Sequence, residues 1–274
     1  MTDFLWLMWK PLLACLVLTG IHGYLGTHVV ERQVIFVDLA LAQIAALGAT
    51  TALLFGHDLH GPATYWFSLS AAFLGAVIFS LTRTRKEKVP QEAVIGIVYA
   101  VSAALAVLLL SRTAEGDEHI RFMLVGNILL VTLPEIVKMA ALYAAVGFLH
   151  WRFRKTFILI STQPEAAYRQ GVPVRMWDLV FYLTFGLVVT SSVQIAGVLL
   201  VFSFLIVPAV GAILFSKNFS TRLALGWIFG PLASFAGISL SYFLDLPTGA
   251  ATVCAFGGIL LGIALLAGFV RYIR

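Results

Sequence analysis

The sequence predicts an all-α fold, a polytopic integral membrane helix bundle of about eight or nine transmembrane helices. Three observations carry that reading. Hydrophobic residues make up 61% of the 274 and charged residues only 11%, and the mean hydropathy is +0.98, well outside the range of a water-soluble domain. Apolar runs of about 20 residues, enough to cross a bilayer, follow one another along nearly the whole chain. The strict apolar/polar alternation of a membrane β-barrel does not occur.

The spans are read in order as Pro11 to Val30, Val34 to Phe55, Thr64 to Leu81, Ala93 to Leu110, Leu133 to Leu149, Leu179 to Thr190, Val193 to Phe215, Leu223 to Phe243 and Gly249 to Val270. No basic run precedes the first span and no small-residue cleavage site follows it, so it is expected to be retained and not removed as a signal peptide. Thr132-Leu133-Pro134-Glu135 has Thr and Glu at capping-box spacing with Pro in the first turn, so the fifth helix starts there. That makes Glu135 a helix cap, with Lys138 in reach, and leaves Phe122 to Val131 as a short outer-face or re-entrant segment. Leu179 to Thr190 is short, and Ser191-Ser192-Val193-Gln194 is a weaker capping signal that breaks the chain before the next span; counting Leu179 to Thr190 as a half-span gives eight crossings. Pro208 must kink or end its helix. The chain shows no linker that would divide it, so residues 1–274 are read as one transmembrane domain.

The net charge of +5 is a topology signal and not a nucleic-acid-binding one. Arg83, Arg85, Lys86 and Lys88 crowd one connection, and Arg152, Arg154, Lys155, Arg169 and Arg175 another; Lys217 with Arg222, and Arg271 with Arg274, mark two more. The positive-inside rule puts all of these in the cytosol. Gly56 to Ala63 and Asp245 to Thr248 hold no Lys or Arg, and Ser111 to Arg121 carries Glu115, Asp117, Glu118 and His119, so these face outside. Nine crossings then place the N-terminus outside, with Trp6 and Trp9 as interfacial anchors. Cys15 and Cys254 lie in separate spans near opposite ends of the chain and read as core packing.

The largest hydrophilic stretch, about 151–177, is a cytosolic loop in this topology. Within it Glu165, Ala166 and Ala167 followed by Gly171 form a short amphipathic segment that can insert into a groove on a partner, with Gly171 ending the helix. Gly-x4-Gly-Lys-Ser/Thr, Gly-x-Ser-x-Gly and His-Glu-x-x-His do not occur, so the chain is expected to be no enzyme and to carry no ATPase site of its own. An ionisable Asp38 within a span is costly and is held equally as a functional group or as a structural partner of Arg32 or of a neighbouring helix. Gln43 is a neutral interhelical hydrogen-bonding group or a pathway residue. His57, Asp58 and His60 offer two imidazoles and a carboxylate as an outer approach for a divalent cation, although the set is incomplete as a closed metal site and reads more readily as a solvated loop. His22 and His28 read as packed, hydrogen-bonded residues.

Gln194-Ile195-Ala196-Gly197-Val198-Leu199-Leu200-Val201, running on to Leu205-Ile206-Val207-Pro208-Ala209, resembles the signature of the membrane permeases of metal-ion ATP-binding-cassette importers, the zinc, manganese and iron uptake family. Ser239 to Gly249 resembles a second block of that family. Gly126-Asn127-Ile128-Leu129 followed by Pro134-Glu135 resembles a third, and Glu165 to Gly171 the family's coupling segment. The similarity runs from about Leu12 to Val270. It implies a multi-pass protein of the bacterial inner or plasma membrane, working as a homodimer with a pathway between the two copies. Its implied partners are a separate ATP-binding-cassette ATPase subunit docked on Glu165, Ala166, Ala167 and Gly171 and an extracytoplasmic metal-binding protein. The cargo would be Zn, Mn or Fe, with ATP used by the partner and no permanently bound cofactor. Asp245 would lie near the outer mouth, and Asp38 and Gln43 near the pathway. In the family an Asp and a His four residues apart on the second span face the pathway; aligned from Arg32 those positions hold Leu39 and Gln43. Asp38 is one residue away, about 100° around the helix. That departure keeps a non-metal cargo open, alongside a secondary transporter or channel that needs no ATPase.

Overall fold

The computed structural model describes residues 2–58, 61–83, 89–111 and 124–273. They form α1 (Thr2–Glu31), α2 (Val37–Leu54), α3 (Pro62–Thr82) and α4 (Gln91–Leu110), then a 3₁₀ turn at Ile128–Leu130 and α5 (Leu133–Arg152). Two short helices follow, α6 (Arg154–Thr162) and α7 (Pro164–Arg169), and then α8 (Val174–Ala196), α9 (Val198–Ile213), α10 (Phe219–Leu244) and α11 (Thr248–Ile273). No strand occurs among the described residues. Eight of these helices, α1 to α5, α8, α10 and α11, are long and apolar enough to cross a membrane. The ninth, α9, has 16 residues, about 24 Å of helix. The membrane bundle expected from the apolar runs is therefore what the chain forms.

Local chemistry explains most boundaries. Glu135 Oε2 accepts from Thr132 N at 2.8 Å and from its hydroxyl at 2.7 Å, so the carboxylate reaches back over the start of α5 as a cap. Pro62 begins α3, where its missing N–H leaves no bond unmade. Asn218 Oδ1 accepts from Ser220 N and Thr221 N at 2.9 and 3.2 Å and starts α10, which Asp245 closes in a left-handed conformation. Helix α9 runs through Pro208 and ends five residues later, at Ile213.

Two expectations change. The sixth span is no half-span, because α8 covers 23 residues. The Ser191 and Ser192 hydroxyls donate back to Val188 O at 2.9 and 2.6 Å inside α8, so they start no new helix. The break falls instead at Gly197, the single residue between α8 and α9, at φ 75° and ψ 161°. That backbone region is essentially reserved for glycine.

The described chain groups into two compact units. Unit 1 gathers Met1–Val30, Leu124–Ala144 and Gln194–Arg274, and unit 2 gathers Glu31–Met123 and Ala145–Val193. In unit 2, α2 is the central helix, packed against both α3 and α4. A Cβ at Gly48 would lie 2.6 Å from Phe67 O, so α2 and α3 cross closely. In unit 1, α9, α10 and α11 pack on one another, with Gly237 of α10 directly against Thr252 of α11 and Gly26 of α1 against the Leu205 carbonyl of α9. His22 and His28 are fully buried there; His22 Nδ1 lies 2.9 Å from Leu18 O. Cys15 is buried, but Cys254 is exposed on α11.

Candidate functional site

The connection between α5 and α8 is built as two short helices held by their own small core. Gln163 ends α6, its N–H donating to Leu159 O at 2.8 Å, and its carbonyl opens α7 by accepting from Ala166 N and Ala167 N at 3.0 and 3.1 Å. Helix α7 then stops by a Schellman arrangement. Val172 N donates to Ala167 O at 3.1 Å and Gly171 N to Tyr168 O at 3.2 Å, with Gly171 at φ 72°. Ala167 is fully buried and packs with Ile160 and Val174, and Val172 closes over them as the hydrophobic contact typical of this stop. Ala167 therefore seats α7. The surface α7 offers consists of exposed Glu165, Arg169, Gln170 and Gly171 with partly exposed Ala166.

Beneath this segment lies a buried ion network. Asp178, the fifth residue of α8 and fully buried, accepts from Arg32 Nη1 at 2.7 Å on Oδ1 and from Arg83 Nη1 at 2.8 Å on Oδ1 and 3.0 Å on Oδ2. Arg32 Nε also donates to Ser161 Oγ of α6 at 2.8 Å, and its guanidinium lies 4.0 Å from the centre of the Phe181 ring. Burial pulls the Arg32 guanidinium below its ordinary pKa against the pull of Asp178. Burial works the same way on the less enclosed Arg83 and is the largest single influence there, but Asp178 with Tyr182 and Tyr168 together outweigh it and leave that pKa raised. His150 stacks on Phe157 at 4.2 Å with its Nε2 2.9 Å from Thr184 Oγ1, fastening α6 to α5 and α8. Asp178 escaped the sequence reading; its only signal was a carboxylate at the very start of a span.

On α2 the structure separates Asp38 from Gln43. Because α2 begins at Val37, Asp38 stands in its first turn and not deep in a span, and the partner of Arg32 is Asp178 and not Asp38. Asp38 is 2% exposed, and its buried Oδ1 has no hydrogen-bond partner. Glu92, in the first turn of α4, accepts from Phe36 N at 3.0 Å on Oε1 and leaves a buried Oε2 equally unpartnered. Two carboxylates thus share the N-terminal end of α2, where the helix dipole favours negative charge. Leu39, Gln43, Leu47 and Thr51, four residues apart, form a partly exposed stripe along α2, whereas Asp38 points into the packing.

Of the outer candidates, His57 and Asp58 fall among the described residues. His57 and Asp58 are exposed in the turn before α3, where the Asp58 carbonyl accepts from Thr64 Oγ1 at 2.7 Å; His60 lies outside the described residues. Glu115, Asp117, Glu118 and His119 also lie outside them, as do Arg85, Lys86 and Lys88. Among the described residues no group of three His, Cys, Asp or Glu side chains could hold a metal ion. Asp245 is exposed and lines a cavity of about 360 Å³ in unit 1 together with Asn127, Tyr242 and Thr248.

That cavity is lined by two of the sequence blocks, and the third packs on one of them. Gly126 and Gly197 press backbone to backbone, at φ 65° and 75°, and neither has room for a Cβ. Asn127 N donates to Ile195 O at 3.2 Å. On the other side a Cβ at Gly249 would lie 2.5 Å from Val125 O. Ser241 Oγ donates to Leu246 O and pairs with Thr248 Oγ1, both at 2.8 Å, fixing the turn between α10 and α11.

The comparisons with known proteins agree with this arrangement. The family model described as the ABC 3 transport family matches residues 5–267. A Listeria innocua protein named manganese transport system membrane protein MntC is 28% identical over 246 residues, covering 89% of this chain and 85% of that protein. A Haemophilus influenzae protein named probable iron transport system membrane protein is 25% identical over 248 residues, covering 90% and 85%. The solved structure of PsaBC from Streptococcus pneumoniae in complex with Fab superposes with a TM-score of 0.78 at 22% identity, covering 96% of this chain and 93% of that one, and so shares its fold. With a family match that runs almost end to end, this chain belongs to the ABC 3 transport family.

Proposed function

We propose that this chain is the membrane permease subunit of an ATP-driven importer of a divalent metal ion, manganese or iron before zinc. It works as a homodimer with a separate ATP-binding-cassette ATPase subunit and an extracytoplasmic metal-binding protein. The observation that carries the reading is the family match over residues 5–267, joined to a short helix, α7, whose outward face is free of the chain's own core. The names of the manganese and iron transport relatives support the cargo class.

In this reading the ATPase subunit grips Glu165, Ala166, Arg169 and Gly171 from the cytosol, with Ala167 holding α7 in place from behind. The Leu39, Gln43, Leu47 and Thr51 stripe faces the pathway between two copies, because an amide turned to lipid is costly while one turned to a wet pathway is not. Amide and hydroxyl oxygens suit a hard cation such as Mn²⁺ better than Zn²⁺, and their neutrality lets cargo pass without being trapped. Asp245 adds a carboxylate at the outer cavity. The same neutral stripe supports one rival, a non-metal cargo in the same architecture. Element-by-element metal content of cells lacking the protein separates the two. A selective fall in manganese or iron is expected, and no change in any transition metal overturns the cargo.

A further inference from the structure

The Asp178 network is a poor device for stability alone. One carboxylate serves two guanidinium groups, all three side chains are at most 10% exposed, and Arg32 Nη2 is buried without a partner. A buried ion cluster with surplus positive charge gains little over apolar packing of the same volume, and such clusters are best attested as devices that fix one arrangement of elements. What this one fixes is specific. Arg32 lies between α1 and α2, Arg83 caps the end of α3, Ser161 belongs to α6 and Asp178 stands in the second turn of α8. Tyr168 of α7 lies close enough to Arg83 to act on its charge. The α6–α7 segment is thereby tied through buried charges to the chain entering α2 and to the second turn of α8.

We infer that Asp178 is a positioning residue for energy coupling: it makes α6, α7 and the first turn of α2 move as one body, so that a push on α7 shifts the Gln43 stripe of α2. The inference rests on the permease reading above. Arg32 is the link to α2, since only Ile35 and a few neighbours separate it from Val37, and its Ser161 bond is the link to α6. Surface contacts between α7 and an ATPase need no such network, whereas hydrogen-bonded ion networks between rigid elements are one physical carrier of coupling beyond α7.

The test uses the permease–ATPase complex in lipid nanodiscs and proteoliposomes. With Asp178→Asn the ATPase still copurifies and still hydrolyses ATP, while ATP-driven uptake falls at least about tenfold, in the usual range of a coupling energy. Hydrogen exchange supplies the readout that a merely structural role would not move. In the wild type, trapping with ATP and vanadate changes exchange in 154–171 and in 33–40 together; in Asp178→Asn only 154–171 responds. Wild-type uptake, or a response of 33–40 that survives the substitution, overturns the inference. If Asp178→Asn does not assemble, Ser161→Ala and Arg32→Lys decide. In assembled complexes each is expected to lower uptake several-fold and to remove the 33–40 exchange response, and wild-type uptake in both overturns the inference. A wild-type chain that copurifies with no ATPase would instead defeat the permease reading, a different result.

Discussion

Two glycines with similar φ should respond very differently to alanine. Gly171 ends α7 at φ 72°, and a Cβ there would meet nothing within 4 Å. Gly171→Ala therefore carries backbone strain alone, about 1–2 kcal/mol for a left-handed residue with a Cβ. Gly197 stands at φ 75° and ψ 161°, which costs about 1–3 kcal/mol for any other residue. Its Cβ would also fall 2.5 Å from Val125 C and 2.8 Å from Leu124 O, and against the Gly126 N–H. These are backbone atoms that no rotamer change can move, so overpacking adds about 1–3 kcal/mol. The sum is about 2–6 kcal/mol for Gly197→Ala. In a chain of this size, each kcal/mol shifts a melting temperature by about 2–4 °C. Thermal unfolding of the purified protein should show a fall of about 2–8 °C for Gly171→Ala and about 4–24 °C for Gly197→Ala, with the latter clearly larger in one preparation. Gly96→Ala, on α4 with open space around it, should be neutral or slightly stabilising. Equal falls for Gly171 and Gly197, or a larger one for Gly171, would refute the crossing of Gly126 and Gly197 as the reason for these glycines.

Three further outcomes follow from named contacts. Glu165→Lys reverses an exposed charge in the first turn of α7, so stability should fall by no more than about 1 kcal/mol, read by thermal unfolding, while copurification of the ATPase subunit is lost; intact association would remove α7 as its docking surface. Glu135→Ala deletes the acceptor of the two Thr132 bonds at the start of α5 and should destabilise by about 1 kcal/mol, read by thermal unfolding, with transport retained. Gln43→Leu should leave the melting temperature near that of the wild type, since the side chain is partly exposed, but lower uptake measured in proteoliposomes; unchanged uptake would take Gln43 off the pathway.

How much of this was legible depends on how local the cause is. The Gly171 stop and the Glu135 cap were readable because their partners lie within five residues. Arg83 was readable only as a topology charge and Arg32 only as a candidate partner of Asp38, because their partner Asp178 is 95 and 146 residues away. No spacing pattern reports a contact of that kind. Asp38 was misplaced for a smaller reason: the expected span began at Val34 and the helix begins at Val37, enough to move a carboxylate from the inside of a span into its first turn. The break between α8 and α9 was put at two serines with capping chemistry, but their hydroxyls bond back within α8 and the glycine conformation at 197 decides the turn. The motif resemblance flagged Gly126, Gly197 and Gly249 as segments; that they belong to one crossing is a property of the fold.

The central claim is that this chain moves a divalent metal only when a separate ATPase drives it. The direct measurement is uptake of manganese, iron and zinc into proteoliposomes, each element counted, with the chain reconstituted alone and then with the ATPase subunit, the binding protein and ATP. The account predicts uptake of manganese or iron that needs all of these together and is abolished by Glu165→Lys. Uptake by the chain alone under an ion gradient, indifferent to ATP and to Glu165, would contradict it.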